Sequence, residues 1–295
     1  MLVRWLAASR SLDEAEAALD TILSENDKLT GADTVARAYL SAGLLNQAIA
    51  LFEQNLADRE RILGPNHPDT LASRNNLASA YRSADRLEQA TDLLEQNLTE
   101  ALRILGPDHP HTLIIRDNLA RAYRSAGRLE QAIDLLEQNL ADSERILGPN
   151  RPHTPASRNN LARAYQDAGK LEKAIDLFEQ TLDDFERILG PDHPHTLITR
   201  NNLARAYQDA GRLEQAIGLF EQTLADRERV LGPDHPHTLT SRDNLARAYQ
   251  DAGRLEQAID LFEQTLTNSE RILGPNHPWT TLFRDNLARA REARN

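Results

Sequence analysis

The sequence predicts an all-α fold, a right-handed α-solenoid of about seven helix pairs followed by a C-terminal capping helix. A stretch of about thirty residues, clearest at 245–274, recurs every 42 residues and ends each time in a glycine. The six glycines are Gly64, Gly106, Gly148, Gly190, Gly232 and Gly274. Apolar residues recur within each stretch at steps of three and four, the periodicity of an amphipathic helix. A fixed period of this size is typical of stacked units that cannot bury their apolar faces alone.

The repeat also predicts the domain organisation. We expect a single solenoid over residues 1–295, because an array of this kind grows by adding neighbours. A short N-terminal pair covers 1–33, with helices at Leu2–Ala8 and Leu12–Leu23. Six 42-residue repeats follow over 34–277, the first beginning at about Thr34, and a capping helix covers 278–295.

The repeat that starts at Asp234 illustrates the expected helix pair. Asp234 is a favourable N-cap, and Pro236 falls in the first turn, where its missing N–H costs nothing. The apolar stripes are Leu239, Leu245, Ala246 and Tyr249 in the first helix and Leu255, Ala258, Ile259, Phe262 and Leu266 in the second. Gly253 between the helices predicts a left-handed turn.

Three of four departures from the repeat carry local predictions. Asp85 replaces the inter-helix glycine, and aspartate tolerates a left-handed backbone better than most residues do. Pro155 replaces a leucine, which predicts a late helix start with Thr154 as cap. Arg291 replaces the repeated tyrosine and gives the last helix the polar face of a cap. Gly218 replaces an aspartate in mid-helix.

The spacing of Leu245, Ala246, Tyr249, Gly253, Leu255, Ala258 and Phe262 resembles the tetratricopeptide repeat. The 42-residue period and the Leu-Gly-Pro-Asp-His-Pro linker resemble the variety found in kinesin light chains and their bacterial relatives. The resemblance implies a superhelix whose concave groove is lined by the first helix of each pair. One departure is arginine at the usual tryptophan position: Arg74, Arg116, Arg158, Arg200, Arg242 and Arg284.

Composition narrows the function. The net charge is −11, and no basic run with interleaved aromatic residues is present, so we expect neither a nucleic-acid nor a membrane partner. The chain has no cysteine, which excludes disulfides, thiol catalysis and cysteine-ligated metals. No signal-like or membrane-spanning apolar segment is present, so we expect a cytoplasmic protein. The arginine-, alanine- and leucine-rich composition favours a bacterial source.

Catalysis and metal binding are not predicted. The carboxylates recur on the polar face of every second helix, whereas a reacting site needs one asymmetric constellation. The nine histidines lie at corners between repeats, and a zinc site needs three or four converging ligands. We expect the histidines to start and pack helices, and we expect no cofactor, no metal and no enzyme activity.

The polar face of the first helix predicts the binding site. Asparagine at one position of this face has two interpretations: the amide bonds a neighbouring helix, or it bonds the backbone of a bound peptide. Arginine on the same face favours carboxylate ligands, with intrahelical pairing such as Arg247 with Asp251 as the alternative. The predicted peptide- or partner-binding residues are Asn76, Arg82, Asn118, Arg121, Arg124, Asn160, Arg163, Gln166, Asn202, Arg205, Gln208, Asn244, Arg247 and Gln250.

The sequence therefore predicts a non-catalytic scaffold that binds a peptide segment or partner surface with acidic residues in its concave groove. A second hypothesis is self-association, for example a homodimer through a terminal repeat at Trp5 and Leu6, or a sensor region of a larger signalling protein. A third is an engineered array, against which irregularities such as Gly218 argue.

Overall fold

A computed structural model describes residues 25–294, with side chains from Leu29 onward. This part of the chain holds thirteen α-helices and no β-strand. The helices are α1 (Glu25–Ser41), α2 (Leu45–Leu63), α3 (Pro68–Ser83), α4 (Leu87–Ile104), α5 (Pro110–Ser125), α6 (Leu129–Ile146), α7 (His153–Asp167), α8 (Leu171–Leu189), α9 (Pro194–Asp209), α10 (Leu213–Leu231), α11 (Pro236–Asp251), α12 (Leu255–Ile272) and α13 (Pro278–Arg294). The all-α prediction is confirmed. The short predicted pair at 2–23 lies outside the described residues.

The helices form six pairs and one unpaired final helix, within two compact units that meet at 146/147. The first unit contains α1–α6 and the second α7–α13. Within each unit every helix packs on the next one in sequence, and first helices of successive repeats also touch, α3 with α5 and α7 with α9. The predicted single solenoid over 1–295 stays a prediction.

The turn within each pair has the predicted left-handed backbone. Gly253 has φ +72°, and no atom lies near the position of an added Cβ, so its φ alone favours glycine. The N–H of Arg254 donates to the carbonyl of Tyr249 at 2.8 Å and closes the end of α11. Asp85 is the one non-glycine residue with positive φ (59°) in the described chain. The prediction for Asp85 is thus confirmed.

Small residues allow the two helices of a pair to pack closely. Ala246 of α11 and Ala258 of α12 are fully buried, as is the ring of Phe262. The second helices of the second unit carry phenylalanine at this place, whereas α4 and α6 carry Leu94 and Leu136. The core is therefore a row of similar layers, one for each pair.

A buried threonine holds five of the six corners between repeats, whereas at the last corner the buried Thr280 hydroxyl has no hydrogen-bond partner among the described residues. Thr238 donates its hydroxyl to the carbonyl oxygen of Gly232 at 2.8 Å and is fully buried. The same bond, to the carbonyl of the glycine six residues earlier, recurs at Thr70, Thr112, Thr154 and Thr196. The hydroxyl thereby satisfies a carbonyl that the preceding helix leaves without a partner.

Histidine, rather than aspartate, starts the first helix. Nδ1 of His235 accepts a hydrogen bond from the backbone N–H of His237 at 3.1 Å, which makes His235 the N-cap of α11. The prediction that Asp234 is the cap is therefore wrong. The residue before a proline is held in an extended conformation, which a cap needs, and that residue is His235. The Asp234 carboxylate instead accepts from Arg271 at the end of α12, at 2.6 Å.

Two predicted helix starts are also wrong. α7 begins at His153 instead of Pro155, so the proline is the third helical residue. It is tolerated there because N–H groups of the first turn have no intrahelical acceptor. Thr154 was expected to be the cap but makes the corner bond to Gly148. α1 begins at Glu25 instead of Thr34, because no proline corner precedes Thr34.

The arginine at the tryptophan position contacts carboxylates of the second helices, and Arg200 is a buried tie between two of these helices. Arg200 is 1% exposed, and its two terminal nitrogens contact Glu186 of α8 at 2.8 Å and Asp226 of α10 at 2.6 Å. One guanidinium thus links a repeat to the one before it. The corresponding pairs elsewhere are Arg74–Glu60, Arg116–Asp142, Arg158–Asp184, Arg242–Glu228 and Arg284–Glu270.

We expect Arg200→Met to lower the free energy of unfolding by about 2 kcal/mol, because it removes the buried guanidinium that contacts two second helices. Asp226 keeps its ion pair with Arg229, and Glu186 is exposed. The matched control is Arg284→Met, whose side chain is 44% exposed and contacts one carboxylate. That change should cost less than about 1 kcal/mol. Urea unfolding of both variants checks the difference, and equal losses would contradict the role given to Arg200.

Candidate binding groove

The first helices of the last repeats line a groove within the second unit. A cavity of about 460 Å³ lies between α9, α11 and α13, and we call it the α9–α11–α13 groove. Its polar lining includes Gln208, Asp243, Asn244, Arg247, Gln250, Asp251 and Arg289, and its apolar lining includes Trp279, Leu282 and Phe283. Of the predicted binding residues, the groove brings together Gln208, Asn244, Arg247 and Gln250.

The repeated asparagines form hydrogen bonds between repeats. The Asn244 amide donates to Oδ1 of Asn201 at 2.9 Å, and the Asn286 amide donates to Oδ1 of Asp243 at 2.7 Å. Asn202 makes the same contact, at 3.3 Å, one repeat earlier. Each bond spans 43 residues and links adjacent first helices. We call this row the amide ladder. It matches the interpretation in which the asparagine bonds a neighbouring helix, while peptide contact stays a prediction.

Each asparagine oxygen in the groove also accepts from an arginine one turn later. The guanidinium of Arg289 contacts Oδ1 of Asn286 at 2.6 Å, and Arg247 contacts Asn244 in the same way. Arg247 also forms an ion pair with Asp243, four residues earlier, at 3.3 Å. The asparagines therefore position the arginines, whose side chains reach the surface.

Arg205 differs from the arginines that follow it. The residue four positions earlier is Asn201, whereas Arg247 has Asp243 there. Arg205 is exposed and makes no hydrogen bond or ion pair with any described residue. Its charge is therefore available to a ligand, although it does not line the cavity itself.

The glutamines form a second row of contacts between repeats. Nε2 of Gln208 donates to Asp251 at 2.5 Å, and Nε2 of Gln166 donates to Asp209 at 2.6 Å. The alternative pairing of Arg247 with Asp251 is not formed, because Asp251 serves Gln208 and Arg247 turns back to Asp243. Asp251 still brings an exposed negative charge to the groove wall.

A buried carboxyl lies beneath the groove. Asp243 is 3% exposed, and burial raises its pKa above the ordinary range. The hydrogen bond from Asn286 and the charges of Arg247 and Arg289 oppose this shift. The carboxyl is therefore held inside the ladder, and the groove surface above it carries the two guanidinium groups.

The apolar part of the groove was not predicted. Trp279 is 38% exposed and Leu282 is 48% exposed, and both line the cavity beside the buried ring of Phe283. The signal was a departure from the repeat at Trp279, where the previous repeat holds His237, whereas the position of Leu282 also holds the exposed Ile114 and Ile198 in other repeats. The groove thus offers an apolar surface next to cations.

The remaining predicted residues lie on other first helices. Asn76 and Arg82 lie on α3, and Asn118, Arg121 and Arg124 lie on α5, all in the first unit. They are half-buried, and Arg121 contacts the Asn118 amide oxygen as Arg247 contacts Asn244. Asn160, Arg163 and Gln166 are half-buried residues of α7 in the second unit.

One buried arginine near the amide ladder lacks the counter-ion that its repeat equivalent has. Arg59 contacts the carboxylate of Asp33 at 2.9 Å. Arg227, four repeats later, is 6% exposed and donates to the Ser241 hydroxyl at 2.6 Å, but it contacts no carboxylate of a described residue. The equivalent of Asp33 is Asn201. Burial accordingly lowers the pKa of Arg227.

A row of tyrosines ties each first helix to the second helix before it. The Tyr249 hydroxyl donates to Glu221 at 2.5 Å, and Arg291 keeps the corresponding contact, with Glu263 at 2.7 Å, where the tyrosine is replaced. Burial, followed by the hydrogen bond to the glutamate, raises the pKa of these tyrosines to about 12, from an ordinary 10.0. The four are Tyr81, Tyr123, Tyr207 and Tyr249.

The corner histidines act as caps in the structure, as expected for residues that start helices. Between residues 29 and 294, no three side chains of the metal-ligating types come together. No helix in the described part of the chain is long and apolar enough to span a membrane.

A family model decides what these repeats are. The model for the tetratricopeptide repeat matches 27–99, 85–141, 126–187, 154–228, 206–271 and 244–295. The chain belongs to the tetratricopeptide repeat family. The buried arginine at the usual tryptophan position is therefore a variation within this family.

Solved structures agree with this assignment. A putative kinesin light chain from Podospora anserina with nearly identical repeats is 36% identical, and the match covers 70% of this chain and 97% of that chain with a TM-score of 0.62. BtubC of P. vanneervenii is 22% identical, with 79% and 94% covered and a TM-score of 0.64. A Rap protein, solved with competence and sporulation factor, is 12% identical, with 96% and 79% covered and a TM-score of 0.65. The last two show the fold alone. No curated protein matches the sequence.

We expect Asn201→Asp to raise the free energy of unfolding at pH 7 by about 1 kcal/mol, because it gives the buried Arg227 and the exposed Arg205 a carboxylate and leaves an acceptor for Asn244. The reverse change, Asp33→Asn beside Arg59, should lower it by about 2 kcal/mol, because it leaves a buried charge unpaired. Urea unfolding checks both. A loss of stability in Asn201→Asp would contradict the comparison of the two arginines.

We expect stability to fall between pH 10 and 12. The folded chain holds the phenolic protons with a pKa of about 12, whereas the ordinary value is 10.0. This contribution is complete below pH 10 and is lost as the pH rises through the folded pKa. Phenolate absorbance followed with urea unfolding checks it. In Tyr249→Phe the fall should be smaller, and an equal fall in this variant would contradict the prediction.

Proposed function

We propose that this tetratricopeptide repeat protein is an interaction scaffold that binds a peptide segment, rich in acidic and apolar residues, along its first helices. The family generally mediates protein–protein contacts. The observation that carries the proposal is the α9–α11–α13 groove, which is formed by side chains from three successive first helices. We propose no catalysis, cofactor or metal for this site.

The size and lining of the groove support a peptide ligand. A cavity of about 460 Å³ is in the range of sites that hold several side chains. Trp279 and Leu282 provide exposed apolar area at one part of the wall. Large aromatic and aliphatic side chains of this kind are typical anchors of interfaces. An apolar residue of the peptide would lie against them.

The charge distribution supports acidic residues in the ligand. Arg205, Arg247 and Arg289 occupy the same position in three successive repeats and are all exposed. Asp243 is buried under the groove, which leaves Asp251 as the exposed carboxylate of its lining. Guanidinium groups spaced by one repeat would bind carboxylates of an extended segment.

The predicted residues would then take separate roles. We propose that Arg205, Gln208, Arg247 and Gln250 contact the peptide, that Asn244 holds Arg247, and that Asn202 and Asn244 offer their remaining amide hydrogen. Asn160, Arg163 and Gln166 of α7, and Asn76, Arg82, Asn118, Arg121 and Arg124 in the first unit, would continue the surface on their own helices. Self-association through Trp5 and Leu6 falls outside the described residues and stays a prediction.

The proposal can be tested by selecting binders from a displayed random peptide library on the wild-type protein. We expect the selected sequences to combine Asp or Glu with a large apolar residue. In Arg205→Ala/Arg247→Ala, affinity for a selected peptide should fall roughly tenfold or more, because two exposed carboxylate partners are removed. Trp279→Ala should weaken binding separately, through the apolar anchor. Fluorescence anisotropy measures both losses.

The matched control removes the same charge from second helices. Arg61 of α2 and Arg103 of α4 are exposed and pair only within their own helix. Arg61→Ala/Arg103→Ala should bind the selected peptide as the wild type does. If no acidic peptide is selected, or if the groove variant binds as well as this control, the proposed function is wrong.

A further inference from the structure

A second cleft lies between second helices, whereas the α9–α11–α13 groove lies between first helices. It has a volume of about 430 Å³ and is formed by α8, α9 and α10 within the second unit. Leu182, Leu203 and the ring of Tyr207 form its floor, and Glu179 and Asp183 stand at its edge. None of these residues lines the α9–α11–α13 groove.

Two departures from the repeat coincide in this cleft. Gly218 stands where the next repeat has Asp260, and Asp183 stands where that repeat has Ala225. The other eight lining residues are identical one repeat later. No atom lies within 4 Å of a Cβ built on Gly218, so close packing does not require the glycine. Its effect is to leave the helix backbone uncovered beside the leucines.

The charge at the edge is negative. Asp183 is exposed and makes no hydrogen bond or ion pair with any described residue. Glu179 accepts the Tyr207 hydroxyl and remains a carboxylate at the surface. Glu214 also lines the cleft and pairs with Arg254 at 2.7 Å, while the nearby Arg212 pairs with Glu172. No basic residue is part of the lining.

We propose that this cleft binds a basic side chain, lysine or arginine, of a partner protein. The aliphatic stem of such a side chain would pack on Leu182, Leu203 and the backbone at Gly218, and its cationic head would meet Asp183 and Glu179. An apolar floor with carboxylates at its edge is complementary to this one kind of residue. The proposal does not depend on the peptide groove, which favours acidic ligands.

The test uses a fluorescein-labelled octapeptide of alternating lysine and leucine as the probe, with its glutamate–leucine counterpart as the control. We expect the basic probe to bind the wild type in a salt-sensitive manner. Asp183→Ala should weaken binding roughly three- to fivefold, through loss of one exposed charge pair. Equal binding of the acidic peptide at this cleft, or unchanged binding in Asp183→Ala, would overturn the proposal.

The variant Gly218→Asp distinguishes binding in the cleft from general attraction to an acidic surface. It restores the residue of the next repeat, adds negative charge and fills the space beside the leucines. General attraction would then strengthen binding, whereas the proposed site should lose about tenfold or more because its floor is covered. Stronger or equal binding would overturn the proposal.

The reciprocal variant, Ala225→Asp/Asp260→Gly, transfers both departures to the next repeat. Its cleft would then have the same ten side chains as the original. We expect the basic probe to bind with a stoichiometry of two in this variant and one in the wild type. A stoichiometry that stays at one would show that these two positions do not make the site.

Discussion

The hydrogen-bonded contact between adjacent first helices is the interaction on which the groove depends. A repeat array has no central core, so each interface must specify its own geometry. Contacts between alanine side chains bring two helices close but do not fix their register. An amide that donates a hydrogen bond to the previous repeat does fix it. Asn244 and Asn286 supply this bond and are almost fully buried. The same asparagines hold Arg247 and Arg289, so the geometry between repeats also sets the spacing of the surface cations.

This arrangement limits which polar groups of the first helices remain available to a ligand. One amide hydrogen and the oxygen of Asn244 are already used inside the protein. Under the proposed function, a ligand would therefore meet mainly the arginines and glutamines of the first helices. Arg205 is the exception that supports this division, because its helix has Asn201 in place of an acidic residue and its guanidinium has no described partner. Similar repeats thus present different surfaces.

The fold was predictable because its determinants are local. The apolar spacing of Leu245 and Tyr249 and the positive φ of Gly253 each depend on residues a few positions apart. The helix caps were harder to predict, because Asp234 and His235 are both good N-cap candidates. Asp234 bonds Arg271, which lies 37 residues away. The ties of Arg200 and Asn244 join residues 14, 26 and 43 apart. No pattern within one repeat shows such partners, so the sequence could suggest a role for the polar face but could not identify the residues that it bonds.

Departures from the repeat differ in kind, and the difference points to function. Arg291 replaces a tyrosine but keeps its glutamate partner, so that change preserves the structure. Gly218 instead weakens the structure, because a glycine in mid-helix lowers stability by about 1 kcal/mol relative to alanine. No neighbouring atom requires its small size. Trp279 likewise exposes apolar area where the previous repeat has His237. In an array where each position has several structural precedents, we propose that substitutions which weaken or expose the fold without a compensating contact serve binding.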